Sequence, residues 1–96
     1  MSLYVIHCID RPGALSLRMA TREAHLAYVR ETKLVRLKAG GPFLSDGGAM
    51  IGSMLIVEAD TPEAVAEFVK TDPYGKAGLF ERVEVRPWKV TVGGLG

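Results

Sequence analysis

The stretch TDPYGKAGLF, residues 71–80, joins the last predicted helix to the last predicted strand. Asp72 precedes Pro73, which is typical of a helix N-cap followed by proline at the first helical position, where the missing N–H is not needed. Gly78 is typical of the glycine that ends a short helix. The stretch therefore predicts a one-turn helix capped by Asp72. A carboxylate can also accept from a second donor, and His25, in the middle of the first predicted helix, is the best candidate for that partner.

The segments on both sides of this stretch are regularly patterned. Upstream, Thr61 and Pro62 predict the start of a helix. Its buried face is formed by Val65, Phe68 and Val69. Downstream, residues 80–87 alternate between apolar and charged side chains and predict a half-exposed strand.

The first third of the chain predicts a central strand and a long helix. Residues 3–9 are apolar without clean alternation, as in a strand covered on both faces. After turn residues at 10–13, Ser16 can cap a helix that runs to about Thr32. One predicted stripe of this helix collects Leu17, Thr21, Ala24 and Tyr28. One flank of the stripe is formed by Arg18, Arg22 and His25, so we expect His25 at the border of the buried face.

The middle of the chain predicts a β-hairpin. Residues 34–43 are extended but interrupted by glycines, residues 45–48 (SDGG) are a turn signal, and residues 50–58 form the next strand. The order of elements is therefore β-α-β-β-α-β. This is an α+β, ferredoxin-like arrangement, in which a four-stranded antiparallel sheet carries both helices on one face.

Such an arrangement leaves one face of the sheet without helices. The strands are nearly continuously apolar, and a chain of 96 residues offers no further element to cover that face. We therefore expect a homodimer that packs sheet against sheet, with the apolar tail at residues 90–95 extending across the partner.

Length and composition indicate a single globular domain, residues 1–96. The net charge of +1 gives no reason to expect nucleic acid or a membrane surface as a partner. The single cysteine, Cys8, excludes an internal disulfide and a cysteine-rich zinc site, and it suits a reducing compartment. The first residues lack the pattern of a signal peptide, and no apolar run reaches the length of a membrane span. We therefore expect a cytoplasmic location.

Several short motifs occur in a characteristic order: LYVI at residues 3–6 with Asp10, Arg22-x-x-His25-Leu26, Gly41-Pro42, Gly52-Ser53, Asp72-Pro73-Tyr74 with Ala77-Gly78, and Val85-x-Pro87-Trp88. In this order and spacing the chain resembles the YciI-like proteins over nearly its whole length. The resemblance implies a dimeric α+β barrel with a pocket in each subunit. It also implies an active site built on a histidine and an aspartate, here His25 and Asp72.

The same resemblance implies a type of chemistry. One kind of family member is a dehydrochlorinase that eliminates HCl from chlorinated hydroxyhydroquinone, and relatives on this fold include muconolactone isomerases and cofactor-free oxygenases. All of these reactions move protons on small oxygenated rings.

The residues themselves favour acid/base catalysis. Histidine is the side chain whose ordinary pKa, about 6.5, suits proton transfer at neutral pH, and a nearby Asp72 carboxylate would orient the ring of His25. The motifs offer no second catalytic acid and no nucleophile motif, so acid/base catalysis is the only reaction class that the residues favour. The structural alternative for His25 is a helix-border histidine bonded to a carbonyl group. For Asp72 the roles of helix cap and histidine partner are compatible.

Four further residues are candidates for substrate binding: Arg22, Ser53, His7 and Tyr74. Arg22, one turn before His25, either offers a fork of donors to an anionic oxygen or is a solvated helix charge. Ser53 either faces the pocket or makes room for a helix. His7 lines the cleft or is a core histidine, and Tyr74 belongs to the motif of Asp72.

Cofactor binding is poorly supported by the sequence. No two of the histidines and nearby aspartates have the spacing of a ready pair of metal ligands on a helix. The glycines at residues 40–41 lack a phosphate-binding lysine and a following helix. We therefore expect neither a metal nor another cofactor.

These observations predict a small cofactor-free enzyme in which His25 and Asp72 move a proton during elimination or isomerisation of a small oxygenated ring compound. Its partners would be that small molecule and a second copy of the chain. The alternative is a non-catalytic dimer that binds a small ligand or assists a partner enzyme. The fold alone does not decide between the two, because this fold serves both kinds of protein.

Overall fold

The computed structural model describes residues 1–95 and contains four strands and three helices. In chain order these are β1 (Ser2–Asp10), α1 (Leu15–Glu31), β2 (Arg36–Leu44), β3 (Met50–Ala59), α2 (Pro62–Thr71), α3 (Pro73–Lys76) and β4 (Phe80–Trp88). The strands form one antiparallel sheet in the order β2-β3-β1-β4. This architecture confirms the predicted α+β, ferredoxin-like fold. Within residues 1–95, no helix combines the length and the apolar character that crossing a membrane requires.

Strand β1 lies between β3 and β4, as predicted for a central strand. Its even-numbered side chains, from Tyr4 to Asp10, are buried under the helices, while its odd-numbered side chains are only half-buried. Cys8 pairs with Ser53 on β3 and with Val83 on β4, so these residues share the face that the helices cover. The largest fully buried side chains include Ile6 and Val57 on this face and Val65 and Phe68 on α2.

The start of α1 differs from the prediction. The helix begins at Leu15, its N-cap position is Ala14, and no side chain caps it. Gly13, with a φ of 70°, turns the chain into the helix two residues earlier than the predicted cap allows. Ser16 therefore lies in the first turn, and its predicted role as a cap was wrong.

The buried stripe of α1 also differs from the prediction. Its buried residues are Arg18, His25 and Val29, whereas the expected core residue Leu17 is 38% exposed. Arg18 pairs with the carboxylate of Asp10, and His25 pairs with that of Asp72. Because a charged side chain can be buried when it is paired and hydrogen-bonded, the helix turns its polar flank toward the sheet.

The predicted loop between α2 and β4 is confirmed in detail. Asp72 caps α3 by accepting a hydrogen bond from the backbone N–H of Tyr74 at 2.9 Å. Gly78, after the last turn, has a φ of 73°. Gly75 lies so close to α2 that a Cβ atom there would be 2.7 Å from the carbonyl oxygen of Val69. This close approach holds α3 against the end of α2 and fixes the position of Asp72.

Among residues 1–95, no helix covers the second face of the sheet. Its central row includes His7, which pairs with Met54 on β3 and with Glu84 on β4, and Met54 is 39% exposed. Arg82 and Arg86 lie within 3.7 Å and 3.6 Å of the Glu84 carboxylate along the outer strand. The homodimer across this face stays a prediction.

Candidate functional site

A buried histidine and a buried aspartate meet at the junction of α1 and α3. The Nδ1 atom of His25 lies 2.9 Å and 3.0 Å from the two carboxylate oxygens of Asp72. The two residues are 6% and 4% exposed. Because an ionised carboxylate only accepts hydrogen bonds, Nδ1 is the donor in this contact. Within residues 1–95 the second ring nitrogen, Nε2, makes no hydrogen bond.

Tyr74 forms one side of the His25 site. Its ring stacks on the imidazole with a centroid distance of 4.0 Å and an interplanar angle of 15°. Burial raises the pKa of Tyr74, and the charges of Arg18 and Arg22 lower it by less. The phenol therefore stays protonated at neutral pH. Since the Tyr74 backbone also bonds to Asp72, one residue fixes both members of the histidine–aspartate pair.

A second polar cluster lies beside the first, around the guanidinium group of Arg18. Its Nε and Nη2 atoms donate to the two carboxylate oxygens of Asp10 at 2.6 Å and 2.8 Å. Nη2 also donates to Ser53 Oγ at 2.8 Å, and the Cζ atom lies 4.7 Å from the centre of the Tyr74 ring. The Arg18 and Asp10 side chains are 3% and 5% exposed. This is a bidentate ion pair that is shielded from water.

The pairing keeps Arg18 charged. Burial lowers the pKa of Arg18, but the hydrogen bond to Asp10 and the negative charge of Asp10 raise it, and the net pKa lies above the ordinary arginine value. The guanidinium therefore carries its positive charge throughout the ordinary pH range.

Both clusters border one cavity of about 100 Å³ between α1 and the β2–β3 half of the sheet. Its polar lining is formed by Arg18, Arg22, His25, Ser53 and Tyr74. The rest of the lining is apolar or glycine: Leu26, Val29, Leu37, Gly40, Gly41, Pro42, Met50 and Leu55. The cavity therefore offers an apolar slot of roughly the size of one substituted ring, with several donor side chains in its lining.

The structure brings most of the predicted site residues to this cavity. His25, Tyr74, Ser53 and Arg22 line it, and Asp72 lies behind His25 as its hydrogen-bond partner. Arg22 is exposed, and within residues 1–95 it forms no ion pair and no side-chain hydrogen bond, so it lies at the mouth of the cavity.

His7 is placed elsewhere. It lies on the helix-free face of the sheet, where its ring packs edge-on against Phe43 at a centroid distance of 4.8 Å. Successive side chains of a strand point to opposite faces, so His7 and the buried Cys8 cannot face the same side. Within this chain His7 does not line the cavity, in contrast to the expectation from the sequence.

Arg18 and Asp10 are the site residues that the sequence reasoning missed. Arg18 is seven residues before His25, which is two helical turns and the same face of α1. That spacing, together with an acid at the end of the central strand, was the available signal.

Cys8, next to this region, is 2% exposed. Burial, and to a smaller extent the charge of Asp72, raises the pKa of its thiol to about 12. The thiol is therefore protonated at neutral pH.

Comparison with known proteins identifies relatives of this chain. Protein YciI of Escherichia coli O6:H1 is 37% identical over 94 residues, which cover 91% of this chain and 96% of that protein. A solved structure of 5-chloro-2-hydroxyhydroquinone dehydrochlorinase (TftG) from Burkholderia phenoliruptrix AC1100, in complex with 2,5-dihydroxybenzoquinone, matches with a TM-score of 0.84 and 42% identity. This match covers 91% of this chain and 93% of that one.

A more distant structure has the same fold. A protein from Bacteriodes thetaiotaomicron, described as an antibiotic biosynthesis monooxygenase, matches with a TM-score of 0.62 at 16% identity, over 99% of this chain and 93% of that one. The sequence model of the YCII-related domain matches residues 2–89. The dehydrochlorinase among the relatives supports an enzyme-like role on a small molecule. By the extent of these matches, the chain belongs to the YCII-related domain family.

Proposed function

We propose that this chain is a small cofactor-free enzyme that moves a proton on a small oxygenated ring compound, with His25 as the acid/base and Asp72 as its partner. The observation that carries the proposal is the buried contact between Nδ1 of His25 and the Asp72 carboxylate, 2.9 Å and 3.0 Å long, on the wall of a ring-sized cavity. Asp72 orients the imidazole and stabilises the imidazolium that forms when Nε2 takes a proton.

The proton transfer has a simple balance in either reaction type. In dehydrochlorination of a hydroxylated ring, Nε2 of His25 first moves a proton from a ring hydroxyl to the chlorine-bearing carbon, which becomes tetrahedral while the hydroxyl becomes a carbonyl. Nε2 then takes the proton of a second hydroxyl, its O–H electron pair forms a new C=O bond, the adjacent ring double bond shifts toward the chlorine-bearing carbon, and chloride departs with the electrons of the C–Cl bond. In an isomerisation, Nε2 returns the proton to a different atom of the same molecule. Arg22 and Ser53 position the oxygens of the substrate, and Tyr74 supports the imidazole.

The candidate substrates follow from the cavity and from the dehydrochlorinase relative. That relative acts on 5-chloro-2-hydroxyhydroquinone and binds 2,5-dihydroxybenzoquinone. The cavity of this chain has an apolar slot for one ring and donor side chains in its lining. We therefore propose chlorinated hydroxyhydroquinones and small lactones as the compounds to test first.

The test compares variants that keep the shape of the cavity. We expect His25→Gln and Asp72→Asn to reduce turnover of the accepted substrate by about 10²–10⁴-fold, while both still bind 2,5-dihydroxybenzoquinone. His7→Gln removes the other histidine, which lies on the opposite face of the sheet, and serves as the matched control with wild-type turnover.

Two results would reject the proposal. One is wild-type turnover in the purified His25→Gln or Asp72→Asn variant. The other is a wild-type protein that binds 2,5-dihydroxybenzoquinone but converts no chlorinated hydroxyhydroquinone or lactone, which would favour the non-catalytic binding module.

A further inference from the structure

One nitrogen of the buried Arg18 guanidinium has no partner. Nε and Nη2 are occupied by Asp10 and Ser53, but within residues 1–95 Nη1 makes no hydrogen bond. The same described residues contain no fully enclosed side-chain nitrogen or oxygen without a partner. Nη1 therefore keeps some access to open space, although Arg18 as a whole is only 2% exposed. Arg18 is also one of the residues that line the cavity.

The Ser53 hydroxyl is a second donor at the cavity, and Arg18 holds it in position. Its Oγ accepts a hydrogen bond from Arg18 Nη2 at 2.8 Å, and the residue is 4% exposed. A hydroxyl that accepts from a guanidinium still has its own hydrogen to donate. Ser53 lines the cavity, so its O–H and the Arg18 Nη1 group offer neighbouring donors to one ligand atom.

We propose that Arg18 and Ser53 together bind an ionised oxygen of the ligand, so that the cavity selects ring compounds that bind as oxyanions. Asp10 is the positioning residue of this pair, because its two hydrogen bonds fix the plane of the guanidinium. The inference rests on the proposed function, since it places the ligand in the same cavity. It adds a substrate class and assigns the anchoring role to Arg18 rather than to Arg22.

The comparison of the two arginines supports this assignment. Arg18 is held by three hydrogen bonds and by its contact with the Tyr74 ring. Arg22 is exposed and has none of these restraints. A donor fixed in advance, away from water, binds an anionic oxygen more tightly than a mobile charge in water.

The charges around Arg18 favour a single anionic group. Asp10 on β1 balances the charge of Arg18, Ser53 on β3 and Tyr74 on α3 are neutral, and Arg22 on α1 adds a positive charge at the mouth of the cavity. The Asp72 carboxylate is engaged by His25 and by the backbone of α3. An oxyanion in the cavity therefore meets directed donors on the Arg18 side and the Nε2 atom of His25 beside them.

The probe is 4-nitrophenol, whose phenolate and phenol forms have different absorption spectra. At a fixed pH at which the free probe is mostly phenol, saturating wild-type protein should raise its phenolate-to-phenol ratio by about tenfold, because a nearby positive donor favours the ionised form. The Arg18→Met variant should lose this increase. The Arg18→Met/Asp10→Leu double variant should lose it too and avoids leaving a buried unpaired carboxylate. Arg30→Met, which removes an exposed arginine from the same helix, should keep it.

The His25→Gln variant separates this inference from the proposed function. It should keep the tenfold increase, because Arg18 and not an imidazolium holds the oxyanion. Three outcomes would overturn the inference: no increase with wild-type protein, an undiminished increase in the folded Arg18→Met/Asp10→Leu variant, or loss of the increase in His25→Gln. If His25→Gln and Asp72→Asn keep wild-type turnover while Arg18→Met loses the phenolate signal, the acid/base function fails and the oxyanion site stands.

Discussion

Asp72 both caps α3 and accepts from His25, and two substitutions separate these two roles. Its Oδ1 accepts from the backbone N–H of Tyr74 at 2.9 Å, and both of its oxygens face Nδ1 of His25. Asparagine caps a helix as well as aspartate does, so Asp72→Asn keeps the bond to Tyr74. Its NH2 group, however, replaces the second carboxylate oxygen and is a donor that faces the Nδ1–H donor of His25. We expect His25 to move its hydrogen to Nε2, so that Nδ1 accepts from this NH2 group.

The magnitudes follow from these contacts. Asp72→Asn exchanges the charge-assisted hydrogen bonds to Tyr74 and His25 for neutral ones and should lower the free energy of unfolding by about 1 kcal/mol. Asp72→Ala loses the cap, which costs about 1 kcal/mol. It also leaves the buried Nδ1–H of His25 without an acceptor, which costs about 1–3 kcal/mol more. We therefore expect a total loss of about 2–4 kcal/mol for Asp72→Ala.

Turnover should not rank the two variants as stability does. Both variants should lose about 10²-fold or more in turnover, since neither holds Nε2 of His25 free of hydrogen. Urea unfolding measures the stabilities, and the ¹⁵N chemical shifts of the His25 ring report which nitrogen carries the hydrogen. Equal destabilisation by asparagine and alanine, or an unchanged tautomer in Asp72→Asn, would refute the reasoning.

Three further predictions concern the surrounding structure. Breaking the Asp10–Arg18 pair on either side should cost about 3–5 kcal/mol in urea unfolding, whereas Arg18→Met/Asp10→Leu should cost much less than the sum of the two single changes. Gly75→Ala should lower stability by about 1–3 kcal/mol, because its Cβ would meet the Val69 carbonyl oxygen at 2.7 Å; Gly41→Ala, where a Cβ meets nothing within 4 Å, is the control. Cys8 should resist iodoacetamide at pH 8 until the protein unfolds. Because burial raises its pKa from 9.0 to about 12, the free energy of unfolding should fall as the pH rises above 9, and less steeply in Cys8→Ala.

The parts of the fold that the sequence predicted well are those in which a local rule determines the structure. Thr61 and Asp72 cap their helices through their side chains, as expected, and the glycine after α3 adopts a positive φ. The pairing of His25 with Asp72 was also predicted, because both the local motif and the family resemblance pointed to the same residues. The structure shows the contact itself.

The parts that could not be predicted depend on tertiary contacts. Periodicity assumes that apolar side chains face inward, so it placed Leu17 on the buried stripe of α1 and Arg18 on the flank. The opposite holds, because Arg18 meets Asp10 from the central strand, and no pattern within α1 contains that information. The face of the sheet on which the His7 side chain lies could not be predicted for a similar reason. A nearly uniform apolar strand does not reveal which of its two faces the helices cover.

The two polar clusters are joined through α3, and this connection explains why the site and the stability of the fold are hard to separate. Tyr74 lies against the His25 ring at 4.0 Å and the Arg18 guanidinium at 4.7 Å, and its backbone N–H bonds to Asp72. Gly75, the next residue, permits the close crossing of α3 and α2 that keeps Tyr74 buried. A change that displaces this single turn therefore moves the acid/base pair and the proposed oxyanion donors together. A loss of activity is informative about chemistry only in variants that leave α3 in place, which is why Asp72→Asn and His25→Gln are more decisive than any truncation of Tyr74.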